Sequence, residues 1–342
     1  MRSQAWKRLL ACSVSASIVL GASGAQTAPA TKKRARVAVR YLVSRQGPGG
    51  GIKAFTKFGS TADSVTSMVA AKRSPAAIRD ALGFLRRHPK GAKSVGLKAK
   101  LVLALVAAGK RPRAFASRNW VAKIKATERP SGRLGKSTPV FEHALALLAL
   151  KATGAPSANA VAWLEAAQCN DGGWQYDAPQ RANENEHCQG PDAATDFYRS
   201  EADATSLAVQ ALDAACAEPM RDPFAFFALV RDPIKHGWGY TQRFRLTNAN
   251  STALVLQAFA AENREPPGRA VKALTRLQYR LCGRNAGAFA YSWEPKERNP
   301  DRYRRTGPDV GATIGAIPGL LGRPFPVTGS GVTKPAPRAV AC

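Results

Sequence analysis

Two concentric rings of helices, six inside and six outside, make up the all-α fold class that this 342-residue sequence predicts. Two observations carry that expectation. One phrase recurs about six times: a short amphipathic helix, a glycine-rich turn that often ends in an aromatic, then a nearly all-apolar helix. Its clearest copy is AVAWLEAAQCNDGGW at 160–174 followed, after a long polar loop, by EADATSLAVQALDAA at 201–215. The two helices of each copy also differ in pattern. A striped helix buries one face and belongs outside, whereas one that is apolar all round must be buried all round and belongs inside. No single hairpin can bury its own apolar face, so the copies must stack, and closing the stack into a ring removes its exposed ends.

Residues 1–30 read as an export signal. Arg2, Lys7 and Arg8 precede an apolar stretch from Leu9 to Leu20, with cleavage expected after Ala25 or Ala30. That stretch is shorter than the roughly 20 residues of a membrane span, so the expected product is a secreted or envelope-associated protein. Residues 31–321 hold the six hairpins. The striped helices begin at Val37, Ala77, Trp120, Ala160, Phe224 and Ala270, and the apolar helices start near Asp63, Gly96, Phe141, Asp203, Asn250 and Asp309. Ser, Thr, Asp or Asn stands near most of these starts as a cap, and Pro318 closes the last helix. Glycines in the turns, such as Gly172 and Gly173, permit the left-handed backbone that redirects the chain. Residues 322–342 form a Pro- and Gly-rich tail.

The formal net charge is +28, and its distribution is lopsided. Residues 31–136 carry 26 Lys and Arg against 3 Asp and Glu, a net +23, while the rest of the chain is nearly balanced. A positive field on one side attracts anionic polymers or headgroups. No aromatic-interleaved basic motif accompanies it, so nucleic acid is not an expected partner. In an oxidising compartment thiols pair. Cys169 and Cys188 bracket one long loop and are the expected disulfide, with Cys282 and Cys342 a second candidate pair.

Gln168 with Gly172, Gly173 and Trp174, and more loosely residues 46–52, resemble the prenyltransferase and squalene oxidase repeat of the terpenoid cyclase and protein prenyltransferase superfamily. That resemblance covers 35–320 and implies an α/α toroid with a central cavity, the inner-helix starts lying near one rim. It also implies that Trp174, Trp238 and Trp293, which follow glycine turns, lock neighbouring hairpins together.

The family's chemistry transfers only in fragments. The Asp, Cys and His set that would hold a catalytic zinc is missing, and neither a metal nor a cofactor is implied. The acid motif of class II terpene cyclases, Asp-x-Asp-Asp-Thr, is matched by Glu201, Asp203 and Thr205 but broken at Ala204. The favoured role of Asp203 is therefore helix cap and rim hydrogen-bonder, with catalytic acid as its alternative. Asp63, Glu142, Asp203 and Asp309, with His143, are rim candidates for a carbohydrate-active enzyme, which needs two carboxylates about 5 to 9.5 Å apart. With no complete catalytic set, enzyme or not stays open. The expectation is a binding protein that takes an apolar or isoprenoid-like ligand through Asp63, His143, Asp203, Asn250 and Asp309, or an anionic envelope component on its basic face. A cyclase-like or carbohydrate-active enzyme, or an interaction module with a filled centre, are the alternatives.

Overall fold

A computed structural model describes residues 29–136, 139–178, 188–189, 198–297, 299–329, 332 and 334–335. The expected signal lies outside them except for its last two residues, as does Cys342. The outer helices are α1 (Pro29–Ser44), α3 (Pro75–Arg87), α5 (Trp120–Lys125), α7 (Ala158–Ala166), α9 (Pro223–Leu229) and α11 (Ala270–Arg276). Alternating with them are the inner helices α2 (Lys57–Ala70), α4 (Val95–Ala107), α6 (Val140–Lys151), α8 (Ala202–Ala215), α10 (Ala249–Ala261) and α12 (Val310–Leu320). Each inner helix packs on the next, and α12 returns to pack on both α1 and α2. The chain is an α/α toroid, as the repeat pattern predicts.

The seams between repeats reuse the same residues. Gln168 donates to the Gly172 carbonyl of its own turn and to the Arg221 carbonyl of the next repeat, at 2.8 and 3.0 Å. Gln46 does the same with Gly50 and Ala77. Gln278 does so with Gly287 and, across the closure of the ring, with Arg34. At the turn glycine the two repeats touch so closely that no side chain fits: a Cβ on Gly172, where φ is +90°, would lie 2.4 Å from the Asp222 carbonyl oxygen. Gly50, Gly132 and Gly287 stand in the same relation to Asp80, Asn159 and Val37. Trp174 and Trp238 are fully buried, their indole N–H groups bonded to the carbonyls of Leu164 and Phe227 on their own outer helices.

Short strands decorate this frame: β1 (Trp174–Gln175) with β2 (Ser200–Glu201), β3 (Phe289–Ala290) with β6 (Pro308–Asp309), and a hairpin of β4 (Trp293–Lys296) and β5 (Asn299–Arg305). Here Trp293 departs from its expected place. Phe289 occupies the turn position of Trp174 and Trp238, while Trp293 opens the hairpin, half-buried beneath the Lys235 ammonium at 5.1 Å. Cys169 and Cys188 form the expected disulfide. Cys216 and Cys282 are also oxidised, leaving no free thiol among the described cysteines. No helix of the described residues is long and apolar enough to cross a membrane.

The described residues after α12 form a strap. It crosses the C-terminal ends of the inner helices, where buried Gln257 donates to the Arg323 carbonyl at 2.8 Å and buried Gln210 accepts from the Phe325 N–H at 2.9 Å. It continues through buried Val327 and reaches Ser74, whose N–H donates to the Lys334 carbonyl.

Candidate functional site

One hydrogen bond sets the register of the inner ring. Thr205, fully buried one turn into α8, accepts from the Trp174 N–H at 2.8 Å. Thr61, Thr252 and Thr313 serve Ile52, Trp238 and Phe289 in the same way. In the third repeat His143 takes the threonine's place: its Nδ1 accepts from the Leu134 N–H and its Nε2 bonds the Ala160 carbonyl. Burial drives the His143 pKa down to about 4, so the ring is neutral and serves the seam.

Counting back two residues from these aligns Gly59, Phe141, Asp203, Asn250 and Gly311 at the N-terminal mouth of the ring, and Gly96 joins them at the start of α4, its N–H bonded to Glu142 beside Phe141. The start expected at Asp63 is thus displaced, Asp63 lying a turn deeper, whereas Asp309 is the N-cap of α12, two residues before Gly311. Four residues further along each helix comes a second layer of Asp63, Lys100, Leu145, Leu207, Leu254 and Gly315, every member of which lines the central cavity. Beside Gly315 lies Ile314, below the layer lie Thr66, Ser67, Gln257 and Pro318, and Phe325 of the strap reaches in from the C-terminal side. The cavity holds about 150 Å³. That is well below the 300–1,000 Å³ of typical ligand sites and about the size that accepts a single aromatic ring.

The acids at this mouth divide sharply. Asp63 pairs with the Lys100 ammonium at 2.6 Å inside the cavity. Glu142 accepts from the Ser94 hydroxyl and the Gly96 N–H, serving the start of α4. Asp309 caps α12 through the Ala312 N–H. Glu201, fully buried, caps α8 through the N–H groups of Asp203 and Ala204. Asp203 is not the cap, contrary to the capping role weighed from sequence. It lines the cavity with a fully shielded Oδ1 that has no hydrogen-bond partner, and its pKa is pushed up to about 6 by burial, against a hydrogen bond from Ser251. Burial and the neighbouring Asp203 charge push Glu201 up as well. On the adjacent helix, Asn250 also lines the cavity with a shielded, unpartnered Oδ1.

Three tyrosines stand near these carboxyls: Tyr176, Tyr240 and Tyr291, each two residues after a turn aromatic. Their carbonyls accept from Val140, Ala202 and Ala249, the first residues of the preceding inner helices. Burial, and then the nearby carboxylates, raise all three phenol pKa values, so the hydroxyls stay protonated. They complete a half-rim of acids and phenols on repeats four to six.

Of the five residues expected to meet a ligand, Asp63, Asp203 and Asn250 line the cavity; His143 and Asp309 serve the framework. Gln168, Gly172, Gly173, Trp174 and Trp238 sit at the seams. The tyrosines were missed, although their signal, an aromatic followed two residues later by tyrosine, is present in three turns.

No family model matches the sequence, and no curated protein matches it. Solved structures do. An α-1,6-mannanase, GH76A of Salegentibacter sp. HEL1_6, superposes with a TM-score of 0.57 at 10% identity, covering 86% of this chain and 98% of that one. A protein from Actinoplanes gives 0.55 at 16% identity over 85% and 99%. Haptocorrin in complex with Cbi gives 0.54 at 12% identity over 90% and 72%. At such identities the likeness establishes the α/α toroid alone.

Proposed function

We propose that this protein is an exported toroid that binds a small molecule in its central cavity, the ligand presenting a hydroxyl or amine to Asp203 and Asn250 and an apolar body to Leu145, Leu207, Leu254 and Ile314. The observation that carries the reading is the pair of orphaned acceptors. A shielded acceptor without a partner costs about 1–3 kcal/mol, and here two belong to side chains that line one cavity from adjacent helices. A ligand donor would satisfy both. The cavity volume narrows the isoprenoid-like expectation to a single ring or a short branched unit while the strap is in place. The disulfide and the N-terminal sequence support export.

Titration of the full chain with cyclohexylamine, cyclohexanol and cyclohexanecarboxylate tests this. Saturable binding of the amine and the alcohol is expected, the amine strengthening as pH rises through about 6, where Asp203 ionises. Asp203→Asn should weaken the amine at least tenfold, and Asn250→Leu should weaken both. Affinity for the carboxylate equal to that for the amine, or binding indifferent to both substitutions, would refute the reading.

A second reading has its own support. The half-rim of Glu201, Asp203, Tyr176, Tyr240 and Tyr291 has the composition of a sugar-binding cleft, and a raised carboxyl is what a general acid requires. Oligosaccharide cleavage abolished by Asp203→Asn would favour this enzyme; absence of turnover across α-linked oligosaccharides would remove it.

A further inference from the structure

We propose that a second site, at the opposite end of the ring, binds a single-chain anionic lipid. A groove of about 660 Å³ opens between α3, the C-terminal ends of α2 and α4, and the strap. Its volume falls in the range of small-molecule sites. The floor is apolar, built from Val69, Ile78, Leu82 and Ala107 with Val332 of the strap, and the rim carries Arg79, Arg86, Arg87 and Lys110. No acidic side chain lines it among the described residues.

The cations are largely unneutralised. Arg79 meets the exposed Asp80 at 3.6 Å, but Arg86 lies over the Phe115 ring and Arg87 donates to the Gly49 carbonyl, neither of them a carboxylate. Lys110 has no ion pair among the described residues. At the end of α2, beside the strap, Arg73 lies close enough to Arg36 that like charge adds to burial in lowering its pKa. The apolar lining and the ring of cations together specify the occupant. An acyl chain on the floor beneath a phosphate or carboxylate at the rim satisfies both features, with charge-assisted bonds from guanidinium groups.

Calorimetric titration of the full chain at about 0.15 M salt, where exposed charges act over only about 8 Å, provides the test. The probes are lysophosphatidylglycerol and lysophosphatidylcholine below micelle formation, and glycerol 3-phosphate. The anionic lipid should bind saturably and at least ten times more tightly than the zwitterionic one, and the headgroup alone should not bind. Arg79→Gln with Lys110→Gln should cost at least fivefold in affinity with the unfolding midpoint unchanged. Val332→Glu, on the strap and outside the helical rings, should cost as much. Equal affinity for the two lipids, binding of glycerol 3-phosphate as tight as the lipid, or unaltered affinity in either variant would overturn the proposal. Asp203→Asn should leave this binding unchanged, which separates its failure from failure of the cavity reading.

Discussion

The seams between repeats and the lining of the cavity are built on the same inner helices by opposite rules. At the seams one solution is repeated: a threonine bonds the turn aromatic, a glutamine clamps two repeats, and a glycine lets the repeats touch. In the mouth layer the residues are mixed, three glycines (Gly59, Gly96 and Gly311) standing with Phe141, Asp203 and Asn250. Repetition marks what every hairpin needs in order to stack. Variation marks positions released from that need, and there the chain carries two shielded oxygens without partners.

This contrast can be broken or sharpened by mutation. The largest loss is expected at the seam glycine. Gly172→Val combines a positive φ with a Cβ 2.4 Å from the Asp222 oxygen and should cost about 4 kcal/mol or more in urea unfolding. Gly109→Ala, also left-handed but with open space around it, should cost about 1 kcal/mol, which isolates the contact from the backbone term. Thr205→Val strands the buried Trp174 N–H and should cost about 1–3 kcal/mol. Lys100→Met, which breaks a partly exposed ion pair, should change stability by about 1 kcal/mol or less.

Much of this division was legible in the sequence. The 3.6-residue stripe on the outer helices, the all-apolar inner helices and the glycine turns are local patterns, and they specify the rings. Asp203 and Asn250 were legible as rim residues because each opens an apolar helix. The first start slipped because Asp63 resembles a cap, whereas the true register depends on Thr61 meeting the distant Ile52 backbone. That slip also hid His143 as a substitute threonine. The β4–β5 hairpin gave no signal, since its residues are charged and Pro-containing without an alternating apolar face; the Glu294–Arg304 pair at 2.9 Å forms only across the paired strands. The strap reads as a tail in sequence because what holds it, Gln210 and Gln257, lies on helices far earlier in the chain.

The most direct measurement of the central claim, that Asp203 is kept for a ligand and not for the fold, is the unfolding free energy of wild type and Asp203→Asn from pH 4 to 8. A carboxyl raised from 3.8 to about 6 in the folded state contributes stability that is present below about pH 4 and lost as pH rises through 6. The two proteins should therefore be nearly equal at pH 4, with the Asn variant more stable by on the order of 1–3 kcal/mol at pH 7. An Asn variant that is less stable at pH 7, or a difference that does not change with pH, would show that Asp203 holds the structure together and would contradict the account.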